Sequence, residues 1–423
     1  MVDRLDGTER NSVRAGSALI WYALAPAAIG AVTGVTVAAL SSLVEGWGLA
    51  HLAALPGWLP ALFSPLALIG AWLATRYVTR AESPSTSELY IVTYHHPGQP
   101  IPVRQLPGRV LAAAATVGFG GSQGFESPSA LIGASWSQAL SRFNASADVR
   151  RGLLAAGASA GIAAVFSSPA VGALYGIEVP FKRDVDAPRL APCAVAAVCA
   201  YLARDALIGS RRLVEIHGAP ELDWLFGVAC AAVAIGCGVG AKLFAAAQEV
   251  LRRVGRRQAR WQRAVIGGAV LALLAIAGHA LCGTWITFGP GYIAAEWVAA
   301  ERRPVSLLVL ALAIRAGGNL VSVYGGGGGG VFTSLACNGL FIGQMVAEAI
   351  GRGQTRLFAL LGAACFLGAG YRLPIACILY IAEESGSVAI SIAGLMVIAI
   401  AQLIMGEASV SEAQVDERQT AQG

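Results

Sequence analysis

The sequence predicts an all-α polytopic membrane protein made of two inverted repeats, with broken and re-entrant helices. Composition, a row of membrane-length apolar stretches and an internal repeat carry that reading. Of 423 residues, 56% are hydrophobic and 13% charged, against about 25% charged in soluble domains. Apolar stretches run over 17–43, 59–77, 110–140, 153–177, 188–208, 224–248, 264–282, 305–321, 331–349, 356–382 and 387–405. A straight span needs about 20 apolar residues. Several of these pieces are shorter, or are cut by Gly and Pro, so some helices must break inside the bilayer.

The repeat follows from spacing. Arg109 precedes Glu126 by seventeen residues in RVLAAAATVGFGGSQGFESPSALIG, and Arg315 precedes Phe332 by the same interval in RAGGNLVSVYGGGGGGVFTSLACNG. Further on, 155–178 matches 361–383, pairing Gly157 with Gly362, Pro169 with Pro374, Tyr175 with Tyr380 and Glu178 with Glu383. We therefore divide the chain into a cytoplasmic segment 1–15, a first membrane repeat 16–208, a second repeat 209–406 and a disordered polar tail 407–423. Inverted repeats place their substrate near the midplane, where broken helices of both halves meet. The glycine turns 118–124 and 325–330 are the expected breaks. Glycine tolerates positive φ and close backbone approach, so successive N–H groups can converge on one anion.

Glu126 stands where the first of those turns meets an apolar helix. A buried acid in a membrane segment is costly and functional by default. At a helix start its charge faces free N–H groups and the positive end of the dipole. Such a place is an anion site that the protein's own carboxylate can fill.

The remaining features are bland or local. The first apolar stretch is too long for a cleaved signal, so the N-terminus is expected to stay. Arg252, Arg253, Arg256, Arg257, Arg260 and Arg263 follow a long apolar stretch and read as a cytoplasmic anchor rather than a nucleic-acid patch. Eight cysteines lie scattered without a CxxC and read as small buried hydrophobes. His95 and His96 fall in a polar stretch and read as solvated. Glu178 and Glu383 recur at matching places, which suggests a shared structural task such as capping near the inner surface. Arg109 and Arg315 either snorkel or supply a positive field that draws anions in. Nothing points to an enzyme: there is no HExxH, no Asp pair in an apolar segment and no Ser/Lys or Ser/His dyad in a shared motif.

Four blocks, in order, resemble the CLC family of chloride channels and chloride/proton antiporters. GFESPSALIGA (124–134) is similar to the family's GREGP block, GGVFTSLACNGLFIG (329–343) to GGxFxP, and 160–178 to the segment leading into the inner glutamates; SPSTSE (83–88) stands where GSGIP is expected. The resemblance, over roughly 15–405, implies a homodimer in the cell membrane with cytoplasmic termini and one anion path per subunit. It implies that Glu126 is the gate. Chloride would be held by backbone N–H groups near Gly124, Phe125, Ser127, Val331 and Phe332, and by an inner serine at Ser85 or, failing that, Ser87. No cofactor beyond the permeant ion is expected. The departures are Phe125 and Ser127 in place of Arg and Gly, Ser334 in place of Pro, Val388 where counting puts the central tyrosine, and Val179 where many antiporters carry the inner proton glutamate. Valine holds no proton, so the expected function is channel-type anion transport gated by Glu126, with proton-coupled chloride antiport as the alternative. Chloride, bromide, nitrate and fluoride all remain open as the permeant ion.

Overall fold

The computed structural model describes residues 20–81, 86–96, 98–141, 146–209, 223–351 and 354–416. Among them are sixteen helices: α1 Ile20–Ala53, α2 Leu59–Thr79, α3 Ser87–His95, α4 Leu106–Gly118, α5 Glu126–Leu140, α6 Ala147–Phe166, α7 Pro169–Glu178 and α8 Leu190–Ile208, then α9 Trp224–Gly255, α10 Arg260–Cys282, α11 Tyr292–Ala300, α12 Val305–Tyr324, α13 Phe332–Ile350, α14 Thr355–Tyr371, α15 Pro374–Ser385 and α16 Val388–Met405. Eight are long and apolar enough to cross a membrane. The rest are short or buried, as the interrupted apolar stretches predict.

One packing scheme occurs twice. In the first half α1 lies against α8, α5 against α6 and α6 against α7; in the second, α9 lies against α16, α13 against α14 and α14 against α15. Lipid supplies no hydrophobic drive between helices, so close backbone approach over small residues must do that work. A Cβ on Gly133 of α5 would sit 1.9 Å from the Gly157 carbonyl of α6, and one on Gly339 of α13 would sit 2.0 Å from the Gly362 carbonyl of α14. Both contacts exist only because these positions lack a side chain.

The halves are inverted, and α7 with α15 displays it. Glu178, at the end of α7, accepts the Ile375 and Ala376 N–H groups that open α15, each at 2.9 Å. Near the end of α15, Glu383 accepts the hydroxyl of Ser168, the N-cap of α7. Each half lends a carboxylate to the helix start of the other, where free N–H groups favour negative charge. The two sites lie at opposite ends of the bundle, so only Glu178 caps near the arginine-rich end.

That basic end gathers the ends of α7, α9, α14 and α16. Arg372 donates to Lys182 O at 2.9 Å and to Gly406 O, and Arg252 donates to Val410 O at 3.3 Å. Here the structure corrects two expectations. Residues 407–416 of the tail are packed rather than disordered. Val410 donates to Gly370 O at 2.9 Å, and Lys182 to Val415 O at 2.8 Å. The buried Gln414 amide donates to the carbonyls of Val179 and Tyr371, each at 2.9 Å. Those carbonyls close α7 and α14 and need donors. Residues 417–423 lie outside the described residues. His95 is not simply solvated either: it is half-buried, bonds Pro180 O through Nε2 at 2.8 Å and lies edge-on to Phe181. The eight cysteines are all free, six buried and two half-buried, as their scatter predicts.

Candidate anion pathway

Both glycine turns are breaks in the helical path, and they meet. Gly120 and Gly326 take φ of +81° and +83°, reversing the chain after α4 and after α12. The segments that return from them touch at Gly124 and Gly330, which exchange backbone hydrogen bonds. The second turn has no spare room: a Cβ on Gly328 would lie 2.7 Å from the Ala113 nitrogen. A polar network that the sequence reading missed ties the turns together. Asn319 donates to Ser122 O and Oγ at 2.9 and 2.8 Å, Asn338 donates to Asn319 Oδ1 at 3.0 Å, and the Ser122 N–H donates to Ser322 Oγ at 3.0 Å.

From this junction α5 and α13 start with their N-termini close together. Glu126 is the first residue of α5 and 1% exposed. Its Oε1 accepts the Thr333 N–H of α13 at 3.0 Å. The carboxylate curls back over Gly124, where a Cβ would stand 2.4 Å from Oε1. Oε2 is buried without a partner. The carboxyl side chain of one half thus occupies the helix start of the other. The cation whose field reaches it is Arg315.

Arg109 and Arg315 share a place in the repeat but not a task. Arg315 is fully buried and donates to Ile286 O and Gly289 O at 3.1 and 2.9 Å, pinning the loop before α11. Arg109, buried in α4, donates to Gln105 Oε1 at 3.1 Å. Equal spacing in the chain therefore does not give equal surroundings.

A cavity of about 590 Å³ opens at the basic end and reaches this junction at Ser127, Gly330 and Val331. Its wall carries Arg252, Arg256, Arg260 and Arg263. The arginine run expected only as an anchor therefore also lines the approach to the candidate site. Tyr371, Val410 and Ser411 close another side. Phe125 is buried behind the junction, its carbonyl taken by Ser129. Phe332 packs among Phe166, Tyr175 and Tyr371, with ring centroids 5.3, 5.8 and 5.6 Å away.

Other expectations land elsewhere. Ser85 lies outside the described residues, and Ser87 opens α3. Beside them Thr86 is 2% exposed with an unpartnered hydroxyl, a donor that counting from Arg109 passed over. Val388 does not stand at the central tyrosine position: it is 78% exposed at the start of α16. Counting failed because, after Tyr371 at the end of α14, the chain next lines the cavity beyond α16, with Val410 and Ser411. Val179 is fully buried, its N–H donates to Tyr175 O at 3.0 Å, and its carbonyl accepts from Gln414.

The voltage gated chloride channel family model matches residues 66–406. The chain is 24% identical over 382 residues to the H(+)/Cl(-) exchange transporter ClcA of Vibrio parahaemolyticus, covering 84% of this chain and 79% of that protein. It is 35% identical over 115 residues to a chloride/fluoride channel protein of Pseudomonas syringae, which covers 27% of this chain and a quarter of that protein. Its fold matches the crystal structure of a CLC-type fluoride/proton antiporter with a TM-score of 0.79 at 23% identity, over 93% of this chain and 98% of the other. The chain belongs to the voltage-gated chloride channel family, and it is a multi-pass membrane protein that transports anions.

Proposed function

We propose, from that membership, that the protein exchanges a small anion for protons along the path from the basic cavity past Ser127 and Val331, with Glu126 as the group both ions share. One observation carries the reading: the Glu126 carboxylate already sits in the cradle that a dehydrated anion needs, accepting the Thr333 N–H over Gly124. An entering anion must displace it, since like charges cannot share one desolvated cradle. Protonation removes its charge and its hold on that N–H. Anion entry and proton uptake are then alternatives at one point, which is the requirement for exchange. A relative named as an H(+)/Cl(-) exchange transporter supports the same reading. Selectivity rests on backbone dipoles with no full positive charge in contact, so an ion binds and still leaves.

A channel-type reading, gated by Glu126, draws on Val179: no carboxylate stands there, and neighbouring Glu178 is committed to the start of α15. Purified protein in liposomes separates the two. Under an outward chloride gradient an exchanger drives protons inward and acidifies the lumen against the proton gradient, and a channel moves chloride alone. By the positive-inside rule the basic end faces the cytoplasm, and a homodimer with one path per subunit belongs to the same proposal.

A further inference from the structure

An exchanger must pass a proton between Glu126 and the cytoplasmic side, and neither Val179 nor Glu178 offers a free acceptor there. Valine has no titratable group. Glu178 has both oxygens engaged by Ile375 and Ala376 N–H groups, 2.9 Å each, and protonating it would uncap α15. We propose that Glu88 is that acceptor, taking the proton between the basic cavity and Glu126; this rests on the exchange reading above.

Three observations converge on it. Among the described residues that line the cavity, Glu88 is the one acid, and it shares the wall with Ser127 and Val331, at the foot of Glu126. Tyr371 lines the same cavity, packs on Phe332 at 5.6 Å and lies within electrostatic reach of both Glu88 and Glu126. Its hydroxyl both donates and accepts, so it can pass a proton or hold the water that does. The third is the charge of the wall. Arg252 of α9 lies within reach of Glu88, and Arg256, Arg260 and Arg263 face the same space, with Glu412 pairing Arg252 from the tail segment. Four guanidiniums concentrate anions and expel hydronium. A carboxylate is then the place in that cavity where a proton can reside. The step conserves atoms: the Glu126 carboxyl releases H⁺, Glu88 carboxylate binds it, and water in the cavity removes it.

As a first-turn acid Glu88 also favours the start of α3. The test therefore separates coupling from folding. Full-length protein is reconstituted with an outward chloride gradient, reading chloride by electrode and protons by a lumenal dye. Wild type moves protons uphill; Glu88→Gln loses about tenfold or more of proton flux while chloride flux stays within about twofold. Glu88→Asp restores protons in part, and Tyr371→Phe lowers the proton-to-chloride ratio severalfold. A Glu88→Gln protein with the wild-type proton-to-chloride ratio overturns this assignment and leaves the exchange reading intact. Wild type that moves no protons overturns both. Should Glu88→Gln fail to elute as wild type does, Glu88→Asp decides: slowed proton flux supports the assignment, and unchanged proton flux at every pH rejects it.

Discussion

Gly124 and Gly330 donate to each other, N–H to carbonyl, at 2.9 and 2.8 Å. They are equivalent residues of the two halves, each two places before the first residue of its helix. A reciprocal bond between equivalents lies on the pseudo-twofold axis itself. The axis therefore passes beside Glu126, and the candidate anion site sits where the halves exchange places.

Gly124→Ala sets a methyl where the carboxylate rests, 2.4 Å from Glu126 Oε1. The side chain cannot then fill the cradle. We expect anion flux to persist with its pH dependence flattened, measured by chloride efflux from liposomes between acid and neutral pH.

Wild-type anion flux should rise as pH falls, because protonation removes the charge that competes for the Thr333 N–H. Glu126→Gln should hold one rate at all pH values and carry no protons. The lost charge-assisted bond is worth about 1.5–3 kcal/mol, or roughly tenfold or more in occupancy of the cradle. Steady-state flux against pH checks both statements. A Glu126→Gln protein with wild-type pH dependence contradicts the assignment of the gate.

Glu178→Gln keeps one acceptor for two N–H groups and loses its charge at the start of α15. We expect about 1.5–3 kcal/mol of destabilisation, seen as a lower Tm in detergent, with the proton-to-chloride ratio unchanged. A changed ratio with unchanged Tm would make Glu178 a proton carrier instead of a cap.

Removing residues from 407 onward takes away Gln414, three tail ion pairs and one wall of the cavity. The carbonyls of Val179 and Tyr371 lose their donor. We expect reduced thermal stability and faster access of charged thiol reagents to a cysteine introduced at Ser127, read by labelling rate.

Gly339→Ala forces α13 and α14 apart, since its Cβ would lie 2.0 Å from Gly362 O. Overpacking of this kind costs about 1–3 kcal/mol. Thermal unfolding should show the loss, and the matched change Gly133→Ala should act alike in the first half.

The repeat, the two breaks and the acid at the first helix start were legible in the sequence because each is local. Seventeen residues from arginine to helix start, and a run of glycines between apolar stretches, leave a trace that counting recovers. The count failed at Val388, where it carried a register across α15 and α16 into a segment that returns by another route. It also missed Thr86, Tyr371 and the Asn319 network, in which Asn319 and Ser122 lie 197 residues apart in the chain.

By itself the sequence determined that the chain enters lipid, that its two halves are duplicates, and that one glutamate stands at a broken helix, since apolar length, repeat spacing and glycine placement are properties of neighbouring residues. Only the tertiary structure decided what those residues face: that Glu126 rests on the amide of Thr333, that equal arginines hold unequal partners, that the tail lines the basic cavity and that Glu88 opens into it. The physical reason is inversion. A twofold turn in the membrane plane brings together groups from opposite halves and opposite faces, and no distance along the chain encodes that meeting.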